Sequence, residues 1–186
     1  MSAEPALAAN GANIGTLKES LPDFAKDIRL NLSSVVKEDG TSGLKTNQVY
    51  GIALASAYAA RNQQVIDAIA GEAAGVLSPE EINAAKAAAT VMAMSNIYYR
   101  STYMTGDEDF GKMPAGLRMN VIGNPGIEKV DFELYALAVS AVNGCSACVA
   151  AHSKTVQQHE ITKQGVQHVF RIAAVIFAAA QAVSIA

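Results

Sequence analysis

Tryptophan is absent from the 186 residues, aromatic side chains amount to 6%, and there are only two cysteines and five prolines. Each shortage excludes something. Two cysteines cannot staple a disulfide scaffold, and a chain of this length buries roughly 70% of its unfolded surface without one, so the pair is free for chemistry. Strands favour β-branched and aromatic residues, whereas alanine, which dominates the 51% hydrophobic content, is the best helix former. No segment shows convincing strand alternation, and the reading is all-α. No basic tract of the phosphate-contacting kind occurs and the net charge is -3, which argues against nucleic acid as a partner. Residues 1–15 lack the basic region and continuous apolar run of a secretory signal, and they read as a flexible tail ahead of one helical domain over 16–186.

Membrane insertion is also disfavoured. The longest uncharged run, 134–151, has the length to span a bilayer, but it contains Ser140, Asn143, Gly144, Ser146 and both cysteines, and much of the rest is alanine. It reads as buried soluble helix, and the apolar run from Ile172 is too short to span unaided. A reducing cytoplasm is the expected compartment, where a lone Cys-x-x-Cys signals redox or metal chemistry more often than structure.

What is present is a succession of helix signals. Leu17, Leu21, Phe24, Ile28, Leu32 and Val35 recur at spacings of three and four, one face of a helix, within which Ser20 with Asp23 resembles a capping signal and Pro22 suits a first turn; the stretch closes near Gly40 in a polar segment, 37–45, that reads as a loop. A second helix is expected over 46–60 with a break at Arg61-Asn62, and a third through Val65, Ile66 and Ile69 toward Gly75. Ser78-Pro79-Glu80-Glu81 is the sharpest start signal: a capping serine, a proline where its missing N–H costs nothing, and a glutamate that bonds back to the cap. That helix should pass Tyr99. The Gly- and Pro-rich stretch 105–129 predicts a long functional or interface loop. Helices are then expected from Asp131 to Val142, from about Cys145, and from Thr162 to about Ser184. The two halves carry a faint internal repeat at a near-constant offset, in which Gln63 would stand in the place of Cys145.

The chemistry concentrates in Asn143-Gly144-Cys145-Ser146-Ala147-Cys148-Val149-Ala150-Ala151-His152. The Gly-containing break puts the dithiol at a helix start, where the positive dipole end and unpaired N–H groups favour thiolate. The two-residue spacing allows a reversible disulfide within one turn. Cys148 and His152 are i and i+4, on one helical face, so an imidazole is available to take the thiol proton. Glu133 lies in the apolar run of the preceding helix. It is either at an exposed first turn or buried with a partner, and a fold-back at Asn143-Gly144 would bring it toward His152 or a proton-carrying water.

Competing readings of these residues are plainer. The cysteines can be small buried hydrophobes, or Cys145, Cys148, His152 and Glu133 can form a tetrahedral metal set. Structural zinc usually draws two short pairs from separate segments, and only one pair exists here. Glu133 can serve only its helix dipole. His159 and His168, the methionines (Met92, Met94, Met104, Met113, Met119) and Tyr98-Tyr99 read as packing or surface residues.

The constellation Glu133…Cys145-Ser146-Ala147-Cys148…His152 resembles the AhpD-type alkyl hydroperoxide reductases, within the wider carboxymuconolactone decarboxylase-like group. The segments LPDFAKDIRLNLSSV, GLRMNVIGNPGI and FELYALAVSAVNGCSACVAAH are similar to that family too, so the resemblance covers nearly all the chain after about Asn13. It implies an all-helical fold, often a homotrimer, with no bound haem, flavin or metal. It implies peroxidase activity at the dithiol, with Cys148 as nucleophile, Cys145 as resolving thiol, and His152 and Glu133 in a proton relay. It also implies electrons arriving from a lipoyl-bearing acyltransferase and its dihydrolipoamide dehydrogenase, and passing on to the peroxiredoxin AhpC. One departure stands out: some family members carry histidine between the cysteines, where this chain has Ala147. The alternatives are a non-catalytic disulfide adaptor or sensor, and a decarboxylase or other lyase of the wider group, whose chemistry does not need the dithiol.

Overall fold

The computed structural model describes residues 11–37 and 42–186, and within them every regular element is helical. Most of the tail expected over 1–15, and part of the loop expected over 37–45, lie outside the described residues. The first helix is capped by Asn13. Its side chain accepts from the Thr16 N–H at 2.9 Å to cap α1 (Ile14–Ser20), and the Ile14 N–H donates to Glu72 at 3.1 Å. The helical domain therefore includes residues assigned above to the tail.

The amphipathic stretch expected as one helix from Leu17 to Val35 is in fact two. Pro22 disfavours helical backbone at the residue before it, and Leu21 is extended (ψ 129°), so α1 stops at Ser20. A 3₁₀ turn (Asp23–Ala25) then leads into α2 (Lys26–Val35). The apolar spacing still aims Leu17, Leu21, Leu32 and Val35 into the core, while Phe24 is exposed.

Thereafter the sequence signals and the elements agree closely. α3 (Thr46–Ala60) ends at Arg61, whose φ of 59° breaks the helix, and Asn62 caps α4 (Gln63–Ala73) by accepting from the Val65 N–H. α5 (Pro79–Met104) opens with the expected reciprocal box: Glu81 N–H to Ser78 Oγ at 3.2 Å, Ser78 N–H to Glu81 Oε2 at 2.7 Å. The Gly/Pro-rich connection after it holds two single turns, α6 (Asp109–Lys112) and α7 (Asn120–Gly123). α8 (Lys129–Val142), α9 (Ser146–Gln158) and α10 (Lys163–Ser184) complete the order.

α3 and α8 form the centre, packed on each other and on α5 and α10. Alanine and glycine permit the close approach: Gly51 of α3 lies against the hydroxyl end of the fully buried Tyr135 of α8. By length and composition α10 could cross a membrane, but half of its most apolar window is buried in the fold, with Ile172 and Ile176 fully covered. His168, read above as surface or packing, is a buried tie between α10 and α2, its Nε2 2.9 Å from the Val35 carbonyl.

Both halves run long helix, left-handed break, short helix, capped long helix. Arg61 (φ 59°) and Gly144 (φ 67°) occupy the two breaks, and the residues after them, Asn62 and Cys145, cap α4 and α9. By that criterion Asn62, not Gln63, stands where Cys145 does. This parallel in element order does not by itself make an internal repeat.

Asp131, in the first turn of α8, accepts from Gln48 Nε2 at 2.6 Å, and burial pushes its carboxyl above the ordinary range. A raised native pKa means the folded state holds the proton more tightly than the unfolded chain. Stability thus falls as pH rises through that window, and above it the buried charge is a standing cost. Asp131→Asn, which keeps the acceptor for Gln48, is expected to melt above wild type at neutral pH. The gap should close as the buffer is taken down to about pH 4, the ordinary carboxylate range. A lower Tm for the variant at both pH values would contradict this account.

Candidate functional site

α8 and α9 fold back on one another through a two-residue hinge. The Asn143 N–H still bonds to the Val139 carbonyl (2.9 Å), but Gly144 turns left-handed, a conformation that costs glycine nothing. The Cys145 N–H then returns to the Ser140 carbonyl at 3.1 Å. Cys145 becomes the N-cap of α9, its sulfur accepting from the Cys148 N–H at 3.3 Å. A sulfur in that position meets the positive end of the helix dipole, which favours its thiolate form when the pair is reduced.

Cys145 and Cys148 are joined as a disulfide, with Cα atoms 5.3 Å apart. The two sulfurs are not equivalent. Cys145 is 0% exposed, whereas Cys148 is 7% exposed and faces an apolar cavity of about 320 Å³. The cavity is walled by Met92, Ser95 and Tyr99 of α5, Met119 and Ile122 beside or in α7, and Ala147, Ala151 and His152 of α9. The long Gly/Pro-rich connection therefore does contribute to the site, through α7.

Glu133 is buried, 5% exposed, and its Oε2 lies 2.7 Å from His152 Nδ1. The hairpin brings this carboxylate from the first half of α8 to the middle of α9. Of the two positions left open for Glu133 by the sequence, the structure takes the buried, partnered one. Nδ1 is engaged by the carboxylate, which leaves Nε2 as the other ring nitrogen of a residue that lines the cavity. All four residues picked from the sequence thus converge on one hairpin. Among the described residues no group of three or more His, Cys, Asp or Glu is placed to hold a metal ion.

A buried polar network behind the dithiol was not visible in the sequence. Asn96 of α5 donates to Ser140 Oγ (3.0 Å) and accepts from Asn143 Nδ2 (3.0 Å), and the Arg100 guanidinium donates to the Asn143 carbonyl. Asn96 and Ser140 are both fully buried. A satisfied network of this kind rigidifies its surroundings, and this one ties α5 to the hinge that sets Cys145. The only sequence signal was polar residues, Asn96 and Ser140, interrupting apolar helices. Met92 and Tyr99, read as packing, do pack, Tyr99 edge-on to Tyr98 at 5.2 Å, but they also wall the cavity.

Comparison with known proteins converges on the same hairpin. The model of the carboxymuconolactone decarboxylase family matches residues 108–186, which include both cysteines, Glu133 and His152. The chain is 55% identical over 168 residues to the alkyl hydroperoxide reductase AhpD of Rhodospirillum centenum, covering 90% of this chain and 89% of that one. It is 51% identical over 166 residues to the AhpD of Coxiella burnetii, covering 89% and 94%. With the AhpD of Hyphomonas neptunium it shares 51% over 169 residues, 91% and 92% of the two chains. Identity at this level, over nearly the full length of both partners and around an intact dithiol hairpin, places the chain in the AhpD-type alkyl hydroperoxide reductases of the carboxymuconolactone decarboxylase family.

Proposed function

We infer that the chain reduces organic hydroperoxides with the Cys145–Cys148 dithiol, taking electrons from a lipoyl dithiol and relaying them to the peroxiredoxin AhpC. The observation that carries this reading is the asymmetric pair itself: Cys148 opens on an apolar cavity beside a carboxylate-held imidazole, with Cys145 buried against it. Kinship with proteins named alkyl hydroperoxide reductase AhpD supports the reaction class.

In the reduced protein, His152 Nε2 takes the Cys148 proton, and Glu133 orients the ring and stabilises the imidazolium that forms. The Cys148 thiolate attacks the outer peroxide oxygen. The O–O bond breaks, the alkoxide leaves as alcohol with the proton from His152, and Cys148 becomes a sulfenic acid. Cys145 then attacks the Cys148 sulfur, forming the disulfide and releasing water. In the return half, one thiolate of an external dithiol attacks Cys148, the sulfur that faces the cavity. Cys145 departs as the thiolate its N-cap position favours, and the second external thiol closes its own disulfide to free Cys148. No metal or bound redox cofactor enters these steps.

The test is dihydrolipoamide-dependent consumption of an alkyl hydroperoxide by the purified chain, with AhpC present and absent. Turnover without AhpC supports a peroxidase. Disulfide exchange with no peroxide consumed would replace that reading with a dedicated adaptor. Glu133 acts through His152 and not on the substrate, so Glu133→Gln should lower kcat by about tenfold to a hundredfold while leaving KM for the reductant nearly unchanged. An unaltered kcat would remove Glu133 from the relay.

Assembly as a homotrimer and a cytoplasmic location belong to the same proposal. Exposed Ile97 and Met104 of α5, with Phe110 and Met113 just beyond, supply apolar surface for a contact between copies of the chain. Sedimentation as a monomer would remove the trimer without touching the chemistry.

A further inference from the structure

A second cavity of about 320 Å³ adjoins the first. The two share Tyr99 and Ala147 as lining, so the second cavity lies across these side chains from the first, which Cys148 lines. Beyond them lie Thr102 and Tyr103 of α5, then Gly106 and Gly111 with Asp107 and Glu108. The glycines leave this end open: a β-carbon on either would meet nothing within 4 Å. Ala147 sits between the two cysteines at an exposed position of α9, and beside Tyr99 it presents only a methyl group between the two cavities. A larger residue there would separate the cavities.

We propose that the cavity beyond Tyr99 and Ala147 is a subsite for the aliphatic tail of an organic hydroperoxide whose peroxide group reacts at Cys148. Its lining of tyrosine rings, threonine and glycine accepts methylenes and offers no cation. The nearby Asp107 and Glu108 carboxylates disfavour a tail that ends in a carboxylate, which selects neutral chains, such as esterified acyl hydroperoxides, over free fatty-acid hydroperoxides. Hydrogen peroxide would use none of this space. The identity of the ligand rests on the peroxidase reading above; the existence of the subsite does not.

Binding and turnover therefore test separate things. Calorimetric titration of the oxidised, full-length chain with primary alcohols from butanol to decanol, which mimic the reduced product, reads the subsite without any reaction. Affinity should rise roughly two- to fourfold per methylene and then level off as the second cavity fills. Ala147→Phe should flatten that rise and weaken decanol by about tenfold, whereas Ala147→Ser, which leaves the passage open, should keep it. The ω-hydroxy acid of the same length should bind more weakly than the alcohol. Affinity independent of chain length, or an unchanged slope in Ala147→Phe, would overturn the proposal. In the companion turnover assay, a long-chain ester hydroperoxide should be preferred over tert-butyl hydroperoxide. Length-dependent binding with no peroxide consumed would uphold the subsite and overturn the peroxidase reading. Turnover indifferent to chain length, with flat alcohol binding, would do the reverse.

Discussion

Cys148→Ser is expected to lose hydroperoxide turnover by about a thousandfold or more, because a serine hydroxyl beside the same imidazole is neither ionised enough nor nucleophilic enough toward an O–O bond. The loss should be in kcat, with the helical circular-dichroism spectrum and the melting temperature close to those of wild type measured with its disulfide reduced. Cys145→Ser is expected to fail differently. It retains the nucleophile on the cavity, so a single equivalent of peroxide should be consumed, leaving Cys148 as a sulfenic acid that a dimedone-type probe labels and mass spectrometry locates. Cycling then stops for want of a resolving thiol. The contrast follows from their surroundings: Cys145 is fully buried, whereas Cys148 lines the cavity. If Cys148→Ser continued to turn over and Cys145→Ser did not label, the two roles would have to be exchanged.

Among the described glycines, Gly51 is the one where an added methyl group should cost the most stability. Helix propensity alone favours Gly51→Ala by about 1 kcal/mol, since glycine inside a helix is costly. Sterics decide the sign. A β-carbon at position 51 would overlap the hydroxyl, Cζ and Cε1 of Tyr135, and both residues are buried where α3 crosses α8. Interiors this closely packed yield only by moving helices, so a net cost of about 3 kcal/mol is expected, or roughly 6–12 °C in Tm for a chain of this size. Because the ring carbons clash as well as the oxygen, adding Tyr135→Phe should not rescue the variant. Tyr135→Phe by itself should be neutral or stabilising by up to about 1 kcal/mol, since the buried hydroxyl has no hydrogen-bond partner among the described residues to lose. A Gly51→Ala protein that melts at or above wild type would mean that α3 and α8 do not approach as described.

Much of the fold was legible because helix ends are written locally. Ser78, Pro79 and Glu81 mark the start of α5, and Thr162 caps α10 by accepting from the Gly165 N–H, each through a hydrogen bond spanning three residues. The stretch from Leu17 to Val35 failed for an instructive reason. Its apolar periodicity is genuine and does face the core, but Pro22 constrains Leu21, and periodicity carries no information about a break that preserves the buried face. The pairing of Gln63 with Cys145 takes an offset of 82 residues, whereas the two breaks, Arg61 and Gly144, and the two caps, Asn62 and Cys145, are each 83 apart.

The dithiol and its imidazole were determined by the sequence alone, because Cys145, Cys148 and His152 are neighbours within a single helix whose geometry fixes their spacing. The partner of Glu133, the burial of Cys145, the Asn96–Ser140–Asn143 network and the cavity walls were decided only by tertiary structure. Each depends on side chains from α5, α7, α8 and α9 meeting across long sequence separations. Those meetings are set by how closely alanine- and glycine-lined helices pack, a property of matched surfaces that no single window of sequence contains.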